Sequence, residues 1–471
     1  MKIEQIYTGC LAQGTYYIIS GNEAVIIDPL REIEPYLQRA KNDGVTIKYI
    51  LETHFHADFV SGHIDLAKAS GAQIVFGPNA QTSYNIHVAE DGEILNFGSV
   101  SLKVLHTPGH TMESSCFLLR NENGDDYALF SGDTLFIGDV GRPDLAQKSE
   151  SLTMEQLAAK LYHSLRHKIM TLADNVLVYP AHGAGSACGK HMSKETISTI
   201  GEQKANNYAL RKDMTEDEFI KEVTDGLLPP PGYFGMNVQM NKSGYDSIQE
   251  VLKRGVNPLS LDEFESIVNH NSAIILDTRN AEDFAIAFIP NSINIGLDGQ
   301  FAPWVGALIP NVKQPIVLIT EKGREEEAVT RLARVGYDLV VGFLIGGIDT
   351  WINSKKDVDK ITRISADQVA QKMDEGFQII DVRKPGEYSA EHIEGAENIP
   401  LDFLNEHMNN FPKDIPFILH CAGGYRSMVA ASILKSRGIA NFMEVRGGFN
   451  AISKTGVPLT NFVCQSASKL K

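Results

Sequence analysis

The second half of the sequence is written twice. AIILDTRNAEDFAIAFIPNSINI, from Ala273, parallels FQIIDVRKPGEYSAEHIEGAENI, from Phe377. PIVLIT from Pro315 parallels PFILHC from Pro416, and GGIDTW parallels GGFNAI. A period of roughly a hundred residues means one supersecondary unit used twice. Each copy reads strand, helix, strand, helix, which implies a parallel sheet with helices on both faces. The copies are placed at 256–356 and 361–471. Ahead of them, residues 1–245 alternate β-branched runs such as AVIIDP, IKYILETH and NVLVYPAHG with helical patterns, and close on the Pro-Gly stretch LLPPPGYFG, a linker or an extended packing arm. The expected class is α/β and multidomain, in keeping with a length of 471 residues.

A hydrophobic share of 43% beside a charged share of 22% is that of a globular chain. No apolar run approaches the ~18 residues that span a bilayer. The start, MKIEQIYTG, lacks the apolar core of a secretion signal, so a cytoplasmic location is expected. A net charge of -16 repels phosphate backbones and argues against nucleic-acid binding. The five cysteines, Cys10, Cys116, Cys188, Cys421 and Cys464, are scattered and form no CxxC. They make neither a disulfide framework nor a zinc finger, so a cysteine that matters here matters as a thiol. Cys10, Cys116 and Cys464 carry no local signature and read as packing residues.

Histidines and aspartates cluster where the strands of the first block end, a common place for chemistry. Thr53-His54-Phe55-His56-Ala57-Asp58 follows IKYILE directly, and His110 in HTPGHT, Asp133 in SGDT and His182 in PAHG come after later apolar runs. One such histidine alone is an ordinary polar residue, but the set is a metal-site signature. Imidazoles with carboxylates suit zinc, iron or manganese.

This pattern resembles the metallo-β-lactamase superfamily across the whole first block, which implies an αββα sandwich with metal at one edge of the sheets. Hydrolytic members of that family usually read HxHxDH and hold two metals. Here Phe59 stands in place of the last histidine, and a phenyl ring has no lone pair to donate. His63 is nearby but at the wrong offset, so a single-metal site is expected. Two histidines and one carboxylate leave open positions suited to Fe(II). ETHFHADFVSGH, LFIGDVGRPD and YPAHGAGSACGK are similar to segments of persulfide dioxygenases. That resemblance implies iron on His56, His110 and Asp133, with His54, Asp58 and His182 around the metal, orienting its ligands. Arg142 either holds an anionic part of the substrate or pairs structurally with Asp144. Cys188 either faces the metal pocket and guides sulfur or is a buried structural cysteine.

The last repeat carries His420-Cys421-Ala422-Gly423-Gly424-Tyr425-Arg426-Ser427 between an apolar strand and a helical run. Backbone N–H groups of such a loop, the helix N-terminus and Arg426 stabilise negative charge, and so a thiolate at Cys421. Cys-x-x-Gly-x-Arg alone also fits a phosphatase. IIDVRKPGEYSAEHIEGAENIP and EVRGGFNAI resemble the rhodanese family, which implies that Cys421 carries a sulfane sulfur, with Arg426 in the anion cradle and Asp381 and Arg383 bracing the loop. In the middle repeat Thr320 stands where Cys421 would, and Glu325 where Arg426 would, so this copy reads as an inactive rhodanese.

Taken together, the chain is similar to fused persulfide dioxygenase–rhodanese proteins. The resemblance implies one Fe(II) per chain, a small thiol persulfide based on glutathione, coenzyme A or a similar thiol, O2 as oxidant, and sulfite and thiosulfate as partners of Cys421. A homo-oligomer is expected. The main rival is a zinc thioesterase of the glyoxalase II kind fused to a sulfurtransferase; a non-catalytic sulfur-sensing scaffold is a third reading.

Overall fold

A computed structural model describes residues 1–145, 151–270 and 272–462; Cys464 lies outside them. The chain divides into two units, residues 1–248 with 333–336, and residues 249–332 with 337 onward.

The first unit contains two six-stranded sheets. One runs in spatial order Lys2–Thr8, Gln13–Ser20, Glu23–Ile27, Thr46–Glu52, Gln73–Phe76, His87–Val88. The other runs Ser198–Thr199, Leu177–Pro180, Asp126–Gly132, Ser115–Arg120, Val100–His106, Ile94–Phe97. Alternation along the strands decides what each face meets. Tyr16, Ile18, Val25 and Ile27 of the first sheet share one core with Leu102, Val104, Phe117 and Phe130 of the second. The residues between them, Tyr17, Ala24 and Ile26, turn the other way onto Tyr36, Ala40 and Leu66 of the helices Glu34–Asp43 and His63–Ser70. Leu118, Leu129 and Val178 leave the second sheet on its outer face and meet Ala158 and Leu161 of the helix Met154–Ser164. Thr153 starts that helix with a reciprocal cap, accepting from the Gln156 N–H while the Gln156 side chain accepts from its own. The layers are therefore helix, sheet, sheet, helix, as expected for the first block.

The second unit holds two five-stranded sheets of one design. In spatial order they run Pro258–Leu259, Val340–Leu344, Ile316–Ile319, Ile274–Asp277, Ile293–Asn294, and Arg363–Ile364, Phe442–Val445, Phe417–His420, Gln378–Asp381, Glu397–Asn398. All their strand pairs are parallel. Central strands covered on both faces are near-continuous apolar runs. Ile316–Ile319 and Phe417–His420 are accordingly buried at every position.

Candidate functional site

Strand ends of both sheets of the first unit deliver its polar cluster. His54, His56 and Asp58 follow Thr46–Glu52, Asp133 follows Asp126–Gly132, His182 follows Leu177–Pro180, and His110 lies between Val100–His106 and Ser115–Arg120. Gly132 lets the two sheets close. It adopts φ +52°, and a Cβ there would stand 2.6 Å from the Cβ of Thr53.

His54, His110 and Asp133 offer donor atoms within 4.8 Å of one another, as do His56, Asp58 and His182. The Nε2 of His110 lies 3.3 Å and that of His54 3.8 Å from Asp133 Oδ2, and His182 Nε2 lies 3.6 Å from Asp133 Oδ1 and 3.5 Å from Asp58 Oδ2. Two donors about 2.1 Å from one ion stand about 3 to 3.5 Å apart. Nε2 of His54, His110 and His182 and both carboxylate oxygens of Asp133 are buried without a hydrogen-bond partner. Polar atoms orphaned together at such spacing fit a cation.

The outer nitrogens are fixed. His110 Nδ1 meets the Arg142 carbonyl at 2.9 Å, so it carries the proton and leaves Nε2 with a lone pair. Asp28, buried at a positive φ of 52°, accepts from the Thr53 N–H at 2.8 Å and from its hydroxyl at 2.9 Å. That hydroxyl is then free to accept from His54 Nδ1 at 3.0 Å, which again leaves Nε2 as the donor to a metal.

The expected ligand set was His56, His110 and Asp133. His54, and not His56, stands with His110 and Asp133. His56 Nε2 is 3.1 Å from Asp28 and 3.5 Å from Glu52. Burial works against a charged ring there, but Asp28, then Glu52 and Asp58, outweigh it and raise His56 to about 9. Burial, then the neighbouring rings of His56, His110 and His182, hold His54 well below its ordinary value, the neutral state a ligand needs. This pair of carboxylates draws His56 away from Asp133, and Asp28 comes from AVIIDP, another aspartate at a strand end. Phe59 is fully buried and stacks on His56 with ring centroids 4.2 Å apart. His63 turns to Tyr84, at 2.6 Å, and Glu52.

Arg142 pairs with Asp144. Its guanidinium donates to both oxygens of Asp144 at 2.6 and 2.8 Å and to the carbonyls of Ala187 and Leu228. Cys188 does reach the cluster, within 4.8 Å of Asp133 and His182. Burial, followed by Asp58 and Asp133, raises its thiol well above the ordinary range and keeps it protonated.

In the second unit, Cys421 ends the strand Phe417–His420 and the helix Tyr425–Ser436 begins four residues on. Its Sγ accepts from the Gly424 N–H at 3.1 Å, and the Ser427 hydroxyl lies 3.4 Å away. A pocket of about 400 Å³ opens on it, lined by Gln300, Trp304, Lys384, Glu387, Cys421, Gly423, Tyr425 and Arg426. Gln300 and Trp304 belong to the other repeat, a contribution with no motif to announce it. Arg426 reaches the pocket but is held by Glu387 in a two-point pair at 2.6 and 2.7 Å. Asp381 accepts from Arg383 at 2.7 to 3.1 Å, and the guanidinium covers Phe449 beneath the loop. In the first repeat the Thr320 hydroxyl is buried and unpartnered, and the following helix opens with Glu325, Glu326 and Glu327.

Residues 9–182 match the model of the metallo-beta-lactamase superfamily, and 260–354 and 365–455 match that of the rhodanese-like domain. The mitochondrial persulfide dioxygenase of Homo sapiens is 33% identical over 221 residues, 46% of this chain and 78% of that protein. The chain belongs to the metallo-β-lactamase superfamily. Two rhodanese-like domains follow the superfamily domain. A probable hydroxyacylglutathione hydrolase of Schizosaccharomyces pombe is 32% identical over 185 residues, 38% of this chain and 67% of that protein. A superfamily structure from Staphylococcus aureus, described as a metallo-beta-lactamase, is 32% identical with a TM-score of 0.64, covering 73% of this chain and 98% of that one. The two named activities, oxidation and hydrolysis, thus occur on one scaffold, and the site must decide between them.

Proposed function

We propose that the first domain oxidises a low-molecular-weight thiol persulfide to sulfite with O2 at one Fe(II) per chain, and that Cys421 carries sulfane sulfur, giving or using thiosulfate. The domains would span 1–245, 256–356 and 361–471. The observation that carries the reading is Phe59. It removes a ligand from any second metal and packs an apolar ring on His56. His54, His110 and Asp133 would hold the iron, which supplies open positions where persulfide sulfur and oxygen meet. Asp28, through Thr53, keeps His54 in the donating tautomer, and the Arg142 carbonyl does so for His110. Cys188, protonated beside Asp133, borders the place where sulfur arrives.

At the second site the Cys421 thiolate attacks the outer sulfur of RSSH, the S–S bond breaks, and RS⁻ leaves with its electron pair. Sulfite then attacks the outer sulfur of the Cys421 persulfide, forming thiosulfate and restoring the thiolate. The reverse sequence starts from thiosulfate and uses the same bonds.

The test is oxygen uptake by protein loaded anaerobically with Fe(II), on adding glutathione persulfide or coenzyme A persulfide. Uptake with sulfite or thiosulfate as product is expected. His54→Ala should lose the iron and the uptake, whereas His56→Ala should keep most of its metal by elemental analysis. The opposite result would restore His56 to the ligand set. A cytoplasmic homo-oligomer completes the proposal. None of the described helices is long and apolar enough to cross a membrane.

The second reading, a zinc thioesterase, is favoured by the grouping of His56, Asp58 and His182. Two zinc ions per chain with thioester hydrolysis, and no uptake with any persulfide, would establish it instead.

A further inference from the structure

We infer that Glu444, acting through Ser427, accepts the thiol proton of Cys421 and so generates its thiolate. Glu444 is a fully buried carboxylate on the strand Phe442–Val445. Burying one there is costly unless it is paired and used. Its Oε1 accepts from the Ser427 hydroxyl at 2.6 Å, and its Oε2 from Arg363 Nε at 2.7 Å. The same hydroxyl oxygen stands 3.4 Å from Cys421 Sγ. A hydroxyl has one hydrogen and two lone pairs. While its hydrogen is given to Glu444, a lone pair is left to face the thiol.

The proton step then balances. The S–H bond of Cys421 breaks as an O–H bond forms on Ser427, and the original Ser427 proton moves to Glu444 Oε1. A thiolate and a neutral carboxyl result, with no change of net charge. Ser427 now donates to the sulfur beside the Gly424 N–H.

The repeats separate this set from mere scaffold. Arg363 and Glu444 face each other across paired strands, and the same register position in the first repeat holds Pro258 and Phe343. The alignment that puts Thr320 at Cys421 puts Glu326 at Ser427. The thiol, hydroxyl, carboxylate and arginine are lost together in that copy, while the structural pair of Asp277 with Arg279 is kept.

Other charges facing the set are Glu282, which pairs with Arg363, and Lys384, Glu387 and Arg426 around the pocket; Asp402 lies near Arg426. Burial, offset by Ser427 and Arg363, lifts Glu444 to about 7. A group that titrates there can both take and return a proton at neutral pH.

The inference rests on Cys421 as sulfur carrier only for its consequence, so the test reads the thiol directly. The full chain is alkylated with iodoacetamide as a function of pH, and the Cys421 peptide is quantified by mass spectrometry. The natural protein should show a rise in alkylation across the Glu444 titration, since the pair shares its protons. Glu444→Gln, which can still accept from Ser427 but can no longer take the thiol proton, should lose that rise and react about tenfold more slowly at neutral pH. Ser427→Ala should match it, and the double variant should be no slower than either. Should Glu444→Gln not fold, Ser427→Ala decides by the same profile. Faster alkylation in the variants, expected if Glu444 merely repels the thiolate, would overturn the relay, as would an unchanged profile. A Glu444-dependent rise without any sulfur transfer would instead count against the carrier reading alone.

Discussion

The two rhodanese-like repeats share a scaffold and differ in what they place on it. Both sheets have the same strand order, and Asp277–Arg279 in one pairs as Asp381–Arg383 does in the other. Asn294 and Asn398 each donate to the backbone carbonyls of both members of that pair. Above the brace the copies part. One loop presents Cys421, a glycine N–H and Arg426; the other presents Thr320 and leads into three glutamates. Polar contacts that brace the fold thus survive in both copies, while those around Cys421, which the proposed transfer would use, are present in one.

The sharpest break of the comparison exchanges the sulfur position. Cys421→Ser should abolish thiosulfate-dependent transfer, because a hydroxyl ionises far less readily than a thiol and cannot carry sulfane sulfur as a persulfide, and should leave persulfide-dependent oxygen uptake intact. Surviving transfer would mean that the sulfur carrier lies elsewhere. The reciprocal Thr320→Cys should gain no transfer, measured in the Cys421→Ser background. Its loop offers acidic side chains where the other offers Arg426, and negative neighbours raise a thiol pKa. Appreciable transfer from that variant would show that the scaffold alone suffices.

The next effect should be equal in the two copies. Asp277→Asn and Asp381→Asn each leave a buried arginine without its charge partner, a loss of about 3–5 kcal/mol by the usual cost of breaking a buried pair. Denaturant unfolding of each variant reads it. A large difference between them would mean that the brace in one copy has been taken over by function.

What the sequence disclosed follows the same division. Repeats, strand ends and the loop of Cys421 were legible because each is local: periodicity, an apolar run, a motif of eight residues. The layering of the first unit came from the resemblance to the metallo-β-lactamase superfamily, carried by its histidine and aspartate motifs. The different neighbours of His54 and His56 were not legible. Both sit at the same strand end, and their roles are set by Asp28, some 25 positions earlier in sequence. Glu444 and Trp304 were equally hidden, since each reaches Cys421 from a separate element with no signature of its own. Local patterns disclose what a strand end carries, but which of two adjacent side chains meets a partner depends on long-range packing.

The smallest effect concerns acid. Burial raises the Glu387 carboxyl, but Arg426 more than offsets it, so the folded group titrates below the ordinary 4.5. A depressed carboxylate contributes stability above its unfolded pKa and loses it as pH falls through the folded value. Its side chain is 38% exposed, so solvent screening keeps the contribution under about 1 kcal/mol. The corresponding residue of the first repeat, Asp283, has Glu325 where Arg426 would stand, and its carboxylate bonds Asn280 instead. Glu387→Gln should therefore flatten the acid limb of stability slightly in denaturant titrations above and below the carboxylate range, and Asp283→Asn should flatten it less. If Asp283→Asn has the larger effect, the charge of Arg426 is not what distinguishes the two loops.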